Sequence, residues 1–236
     1  MPQPIRITID GQALTAEAGQ TILAIASRHG ISIPTLCHLN GLSAVGACRI
    51  CLVEVKGVPR LLPACATEAA DGMTVTTDSP RLQQHRRVIL QLIFAERNHL
   101  CAVCVSNGNC ELQALAQDHG ITHTRFAYRF KPYPVDASHP RFVYDANRCI
   151  LCTRCVRTCR EIEGARTWDV IGRGIRSDLA ADLDVPWGQS ETCTSCGKCV
   201  QSCPTGALFE KGRAVGEMKK NCAVISNLAT ARLRGR

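Results

Sequence analysis

The spacing of the cysteines constrains this chain more than any other feature. Sixteen of its 236 residues are cysteines, and all but Cys222 fall into four groups. A disulfide framework in a secreted protein is one explanation for so many cysteines. The N-terminal residues MPQPIRITID, however, lack a charged segment followed by an apolar one, so they predict no export signal. The grouping therefore favours metal or cluster ligands over disulfides.

The first group follows the spacing C-x10-C-x2-C-x13-C and consists of Cys37, Cys48, Cys51 and Cys65. Small residues between the first two cysteines allow backbone amides to approach sulfide ions. Zinc sites usually combine two close pairs of ligands, whereas this group contains one close pair. We predict a [2Fe-2S] cluster here, although the first gap is longer than the x4 gap of plant-type ferredoxins.

The second group combines one histidine with three cysteines and consists of His99, Cys101, Cys104 and Cys110. Three cysteines leave one iron of a [4Fe-4S] cubane without a protein ligand, and a neutral imidazole can fill that position. His85, His119 and His123 are alternative donors. Because His99 directly precedes the cysteines, it is the predicted fourth ligand.

The third and fourth groups repeat the spacing C-x2-C-x2-C-x3-C, which indicates an internal duplication. In two-cluster bacterial-type ferredoxins, the fourth cysteine of each run binds the cluster of the other run. One predicted [4Fe-4S] ligand set is therefore Cys149, Cys152, Cys155 and Cys203. The other is Cys193, Cys196, Cys199 and Cys159. Cys222 has no partner run, and we predict that it binds no metal.

Hydrophobic periodicity predicts a mixed α+β chain. Residues 5–9 alternate apolar and polar, Asp10-Gly11 predicts a tight turn, and residues 12–17 can pair back as a hairpin. A helix from Ile22 to before Gly30 and strands at 50–56 and 73–77 would complete a small mixed sheet with one helix, a β-grasp outline.

Two further helices are predicted. Residues 80–97 place Leu82, Val88, Ile89, Leu92 and Ile93 on one apolar face, and residues 111–118 form the second helix. The predicted domains are a β-grasp [2Fe-2S] ferredoxin-like domain, a helical His/Cys3 [4Fe-4S] domain, a linker, a bacterial-type 2x[4Fe-4S] ferredoxin-like domain and a tail. Their predicted bounds are 1–79, 80–120, 121–140, 141–222 and 223–236.

The charge of the chain supports bound clusters better than nucleic acid. The formal net charge of +8 counts every cysteine as neutral. Four oxidised clusters with these ligands would add about −7, so much of the Lys and Arg excess is interpreted as charge compensation. Few aromatic residues are present for base stacking. The longest apolar run, 88–95, is far shorter than the roughly 18 residues that span a bilayer, so we expect a soluble, cytoplasmic protein.

The order of these groups resembles the cluster-rich N-terminal region of three kinds of protein. They are the large iron–sulfur subunit of respiratory NADH dehydrogenase, [FeFe]-hydrogenases, and the diaphorase gamma subunit of NAD-reducing [NiFe]-hydrogenase. The resemblance covers nearly the whole chain. It is strongest for the gamma subunit, because the chain stops soon after the segment CPTGAL. One departure is the H-x-C spacing across Leu100, where the respiratory and [FeFe] relatives have H-x3-C.

The resemblance implies an electron relay with its clusters in a line. The implied partners are a flavin- and NAD-binding diaphorase subunit and the hydrogenase small and large subunits in a hetero-oligomer. The chain has no G-x-G-x-x-G turn, so we expect it neither to bind NAD nor to supply catalytic residues. The alternatives are the equivalent subunit of an NAD-linked formate dehydrogenase or NADH dehydrogenase, and a zinc-stabilised scaffold without redox function.

Overall fold

A computed structural model describes residues 4–129 and 132–234. The residues outside these ranges belong to the start of the predicted first domain, to the predicted linker and to the end of the predicted tail. The chain forms two compact units. The N-terminal unit contains Met1–His38 and Ala44–Ile89, and the C-terminal unit contains Leu39–Ser43 and Leu90–Arg236. The predicted domain bounds remain predictions.

The N-terminal unit opens with the predicted hairpin. Strand β1 (Pro4–Ile9) pairs antiparallel with β2 (Gln12–Glu17). Asp10 and Gly11 both have positive φ, at 48° and 82°. This backbone twist matches that of the flanking strands, which is why the Asp-Gly dipeptide predicts a hairpin correctly.

The rest of this unit is a mixed sheet with one helix against it. Its further strands are β3 (Leu52–Val55), β4 (Val58–Pro63) and β5 (Met73–Thr76). The strand order is β2-β1-β5-β3-β4, in which only the β1–β5 pair is parallel. Helix α1 (Ile22–Arg28) begins after Thr21, whose hydroxyl accepts from the Ala24 amide at 3.2 Å. Its apolar side chains share one core with the sheet.

Helix α2 (Pro80–Glu96) forms as predicted, but its buried face differs from the predicted one. Leu82 and Leu90 are fully buried, whereas Leu92 is 48% exposed. Arg86 lies between the two buried leucines, one helical turn from each. Within the N-terminal unit its guanidinium donates to the carbonyls of Ile50, Leu52 and Thr77 at 3.2, 3.1 and 2.7 Å. The apolar pattern of the sequence therefore did not predict that Arg86 lies on the buried face of α2, where it donates hydrogen bonds to backbone carbonyls.

The C-terminal unit is built from short elements. They are α3 (Glu111–Asp118), β6 (Val135–Asp136), β7 (Phe142–Asp145), α4 (Arg154–Arg157), a π-helical segment (Thr158–Glu163), β8 (Trp168–Ile171), β9 (Asp178–Ala181), α5 (Lys198–Ser202), β10 (Leu208–Glu210) and α6 (Cys222–Arg234). Strands β10, β7 and β6 form an antiparallel sheet in that order. Strands β8 and β9 form a separate hairpin within the insert between the two cysteine runs.

The predicted duplication is visible in the backbone. Leu151 and Thr153 have φ of 51° and 57°, and the equivalent Ser195 and Gly197 of the second run have φ of 53° and 71°. Each pair directly precedes a short helix, α4 or α5. The two cysteine runs therefore follow the same path.

The predicted tail forms helix α6. Its Ile225 and Ala229 are buried in a small core with Leu42 and Ile162, all within the C-terminal unit. The Ser226 hydroxyl also donates to the Asn40 carbonyl at 2.8 Å. These contacts explain how a segment without a strong helix-start signal is nevertheless ordered as a helix.

Candidate metal centres

The first predicted group converges in the N-terminal unit. The Cys37 amide donates to Cys48 Sγ at 3.4 Å, and the Cys48 amide donates back to Cys37 Sγ at 3.5 Å. The β3–β4 hairpin brings Cys51 and Cys65 together, because one precedes β3 and the other follows β4. The β3–β4 hairpin therefore accounts for the long sequence gap between Cys51 and Cys65.

The thiols of this group interact directly with one another. Hydrogen bonds from Cys48 and then Cys65 lower the pKa of Cys37 to about 2. A hydrogen bond from Cys65 lowers the pKa of Cys51 to about 7, against the opposing effect of burial. The donors Cys48 and Cys65 have correspondingly raised pKa values. Such a set suits metal binding, because the thiolate is the form that binds iron.

The second group lines one cavity of about 320 Å³ in the C-terminal unit. His99 follows the end of α2, Cys101 begins a 3-10 turn, and Cys110 directly precedes α3. Among the residues described as lining this cavity, His99 is the only histidine; His123 lines a neighbouring one. The geometry therefore brings together the four residues that the sequence predicts.

The imidazole of His99 has the properties of a metal ligand. Its Nε2 is buried and has no hydrogen-bond partner among the described residues. Burial, followed by the charges of Arg148 and Arg97, lowers the pKa of His99 to about 4. The ring is therefore neutral near pH 7, with a nitrogen lone pair available to a metal.

A glycine shapes the same cavity. A Cβ added to Gly206, in the segment CPTGAL, would lie 2.4 Å from Cys104 Sγ. Arg148 and Thr205 line the cavity beside it. Any side chain at position 206 would displace the Cys104 sulfur, so this close approach requires glycine.

The third group forms a buried set in the C-terminal unit and consists of Cys149, Cys152, Cys155 and Cys203. Burial, the largest effect, and the neighbouring Cys203 raise the pKa of Cys149 and of Cys152 to about 12. Burial, followed by the neighbouring Cys152, Cys149 and Cys203, raises the pKa of Cys155. The Leu151 amide donates to Cys149 Sγ at 3.4 Å. Cys203 of the second run therefore lies with three thiols of the first.

The fourth group lines a second cavity of about 320 Å³ and consists of Cys159, Cys193, Cys196 and Cys199. Cys159 is carried by the π-helical segment, a distortion that is frequent at functional sites. The Thr167 amide donates to its Sγ at 3.3 Å. Both fourth cysteines thus lie with the opposite run, which is the crossed arrangement that the sequence predicts.

Cys222 lies apart from these four groups at the start of α6. Its Sγ is 3.2 Å from the Gln201 carbonyl and 3.7 Å from Glu111 Oε1. Burial raises the pKa of this thiol. It is therefore placed as a protonated hydrogen-bond donor.

The sequence did not predict which arginine and tryptophan side chains surround the cysteine thiols. Arg97, Arg154 and Arg157 are each 2% exposed within the C-terminal unit. The charge of Arg97 acts on Cys149 and that of Arg154 acts on Cys152, in both cases lowering the thiol pKa. Arg154 and Arg157 lie between closely spaced cysteines, which was a usable signal, whereas Arg97 lies outside the cysteine runs. The positions of Trp168 and Trp187 against the fourth group had no such signal.

Within residues 4–129 and 132–234, no group of three or more His, Cys, Asp or Glu side chains has the arrangement of a single-ion site. No helix in these ranges is long and apolar enough to cross a bilayer.

Three family models match successive parts of the chain. Residues 2–80 match a 2Fe-2S iron-sulfur cluster binding domain, and residues 86–125 match the NADH-ubiquinone oxidoreductase-G iron-sulfur binding region. Residues 140–209 match the ferredoxin-like domain of NADH-quinone oxidoreductase subunit 3. The predicted order of a 2Fe-2S domain, a 4Fe-4S region and a ferredoxin-like domain is confirmed.

Some relatives of this chain are much longer than the chain itself, and one has nearly the same length. The G 2 subunit of NADH-quinone oxidoreductase from Rhizobium meliloti (strain 1021) is 41% identical over 208 residues, which cover 87% of this chain and 24% of that protein. The chain thus spans about a quarter of the length of several curated relatives that it matches. The gamma subunit of the NAD-reducing hydrogenase HoxS from Cupriavidus necator is 34% identical over 208 residues, which cover 88% of this chain and 87% of that protein.

A solved structure extends the comparison to three dimensions. A chain in the crystal structure of NAD+-reducing [NiFe]-hydrogenase in the H2-reduced state matches with a TM-score of 0.84 and 37% identity. The match covers 89% of this chain and 88% of that chain. The predicted resemblance is confirmed, and this chain belongs to the family of the gamma subunit of NAD-reducing hydrogenase.

Proposed function

We propose that this chain is a non-catalytic iron–sulfur relay subunit that holds one [2Fe-2S] and three [4Fe-4S] clusters. The four groups of converging thiols and one imidazole are their proposed ligands. The observation that carries the proposal is the crossed pairing of Cys159 and Cys203 with the opposite runs. This pairing is the ligand pattern of two-cluster ferredoxins.

The chain's own contribution is to hold and shield the clusters. Bound clusters supply one-electron transfer. Buried thiols in the third group exclude water, and amides such as those of Leu151 and Thr167 donate to ligand sulfurs. Arg97 and Arg154 place positive charge beside the third group. These contacts stabilise negative charge on a reduced cluster and so raise its potential.

The proposed partners follow from the family. We infer that the chain passes electrons between a [NiFe]-hydrogenase module of small and large subunits and an FMN- and NAD-binding diaphorase subunit. The whole complex would convert H2 and NAD+ to NADH and H+ in the cytoplasm. The near-complete coverage of the Cupriavidus gamma subunit supports this assignment. The 41% identity to a component of an NADH-quinone oxidoreductase keeps a role in an NADH dehydrogenase as the second candidate.

Metal analysis of the purified native complex tests the function. We expect brown protein with at least about 14 irons and matching acid-labile sulfide for each copy of this chain, since the [NiFe] module adds iron of its own, together with nickel and flavin. A complex with molybdenum and no nickel would contradict the hydrogenase assignment but not the relay. Colourless, folded protein with stoichiometric zinc would contradict the relay itself.

His99→Cys tests the proposed fourth ligand of the second group. We expect the cluster to remain but its reduction potential to fall, because a negatively charged thiolate replaces a neutral imidazole. An EPR-monitored redox titration measures the shift. His123→Cys is the matched control, since this exposed histidine lies outside the ligand cavity. A titration curve that is the same for His99→Cys and wild type would show that His99 is not a ligand.

A further inference from the structure

Both tryptophans of the chain lie against the same ligand group. Trp168 and Trp187 are 3% and 1% exposed, and both line the cavity of the fourth group. Their rings meet edge to face, with centroids 4.9 Å apart. Tryptophan is the largest side chain, and a chain with only two of them places both at one cavity within the C-terminal unit.

The two tryptophans act on different cysteines of this cavity. Trp187 Nε1 donates to Cys193 Sγ at 3.2 Å. The side chain of Trp168 hydrogen-bonds Cys199; burial raises the pKa of that thiol, and this hydrogen bond opposes the rise. An indole N–H can donate but cannot accept. Both bonds are therefore best satisfied when the sulfur carries negative charge, as a cluster ligand does.

The surrounding structure fixes the orientation of Trp187. Its backbone amide donates to Asp136 Oδ2 at 2.6 Å. Its ring packs against His139 and Phe142, with centroids 4.7 and 5.5 Å away. The His139 ring in turn lies 3.0 Å from the Ser195 hydroxyl, in the loop that carries Cys196. Rotation of the indole away from Cys193 would break this packing.

Trp168 is held from the other side of the cavity. It begins β8, where it pairs with Ala181 of β9. Its ring also contacts Tyr144 edge to face, at 5.4 Å. Both N–H groups are thus preorganised before any charge arrives at the sulfurs, so directing them at a reduced cluster needs no rearrangement.

We propose that Trp168 and Trp187 are positioning residues that raise the reduction potential of the cluster bound by Cys159, Cys193, Cys196 and Cys199. The proposal rests on the proposed presence of a cubane at this cavity. A reduced cluster carries one more negative charge than an oxidised one, so N–H donors to its thiolates stabilise the reduced form more. Burial strengthens this effect, because water does not compete for the sulfurs.

The two cubanes would consequently differ in reduction potential, although the spacings of their cysteines are identical. The third group receives a backbone amide from Leu151 and the charges of Arg97 and Arg154. The fourth receives a backbone amide from Thr167 and the side-chain donors Trp168 and Trp187, without a buried arginine charge assigned to it among the described residues. The duplicated runs therefore supply ligands of one pattern, and the residues between the runs give each cluster its own environment.

Conservative substitutions in the native complex test the proposal. Trp168→Phe and Trp187→Phe keep an aromatic ring but remove the N–H donor. We expect each variant to retain its iron and sulfide, to lower the potential of the fourth-group cubane, and to leave that of the other cubane unchanged. The double variant should shift further than either single one. Tyr128→Phe is the matched control, because this tyrosine is 62% exposed and lies outside the cavity of the fourth group.

A second measurement, on the wild-type complex, tests the proposal even where the variants lose the cluster. Tryptophan labelled with 15N at the indole nitrogen should give a 15N hyperfine coupling to the reduced cubane in pulsed EPR. Each single Phe variant identifies one of the two couplings. Absence of both couplings, or unchanged potentials in variants with full iron content, would overturn the proposal. Absence of a cubane at this cavity in the wild type would instead overturn the proposed function.

Discussion

Cys203→Ala should remove the cubane of the first cysteine run and leave the cubane of its own run in place. The reason is that Cys203 lies with the buried thiols of Cys149, Cys152 and Cys155. Losing one of four ligands exposes an iron, and we expect loss of about four of the roughly 14 irons. Iron and sulfide analysis measures the loss, and EPR of the reduced protein identifies the cubane that remains.

Pairs of variants make this test independent of any assignment of the spectra. Cys203→Ala should give the same residual spectrum as Cys152→Ala, and Cys159→Ala should give the same one as Cys196→Ala. Cys222→Ala should keep the full iron content, since this thiol lies outside the ligand groups. If Cys203→Ala matched Cys196→Ala instead, each run would bind its own cluster and the crossed pairing would be wrong.

Glu111→Ala should lower the stability of the folded chain, because it removes the partner of a buried charge. Arg154 is 2% exposed, and its guanidinium donates to both carboxylate oxygens of Glu111 at 2.6 and 2.8 Å. Removing the carboxylate leaves a buried charge without this partner, which costs about 2–3 kcal/mol once the partial exposure of Glu111 is allowed for. The midpoint of thermal unfolding, followed by circular dichroism, should fall by roughly 4–10 °C.

Two comparisons separate this effect from a general loss of charge. Glu111→Gln keeps one oxygen acceptor for Arg154 and should recover part of the midpoint. Glu210→Ala breaks the exposed ion pair with Arg213 and should leave the midpoint unchanged. Equal midpoints for Glu111→Ala and Glu210→Ala would mean that the buried ion pair contributes nothing to stability.

Local signals predicted the β1–β2 hairpin, strands β3 and β5 and helices α1 to α3, but none of the strands and helices that follow α3. The Asp10-Gly11 turn and the apolar spacing of α1, α2 and α3 are properties of neighbouring residues, so they can be read from the chain. Strand β4 was missed because it contains two prolines and little apolar alternation. It lies at the edge of the sheet, where proline is tolerated. Helix α6 was missed because distant segments, among them Leu42, supply its packing.

The candidate ligands were predictable because cysteine spacing carries the chemistry of cluster binding. The surroundings of the ligands were not, because they depend on contacts between distant parts of the chain. The Trp187 amide meets Asp136 across 51 positions, and Glu111 meets Arg154 across 43 positions. The burial of Arg86 within an otherwise apolar helix face was missed for the same reason.

The close approach of Gly206 to Cys104 also bears on when iron can be inserted. His99 and Cys104 leave the ribosome long before Arg148 and Gly206, which complete the wall of their cavity. At about 5–20 residues per second, the delay is roughly 5–20 s. During that time the ligands are present but their cavity is open to water. Stable loading of this site therefore follows the synthesis of Gly206, and nascent chains stalled before position 206 should retain no iron there.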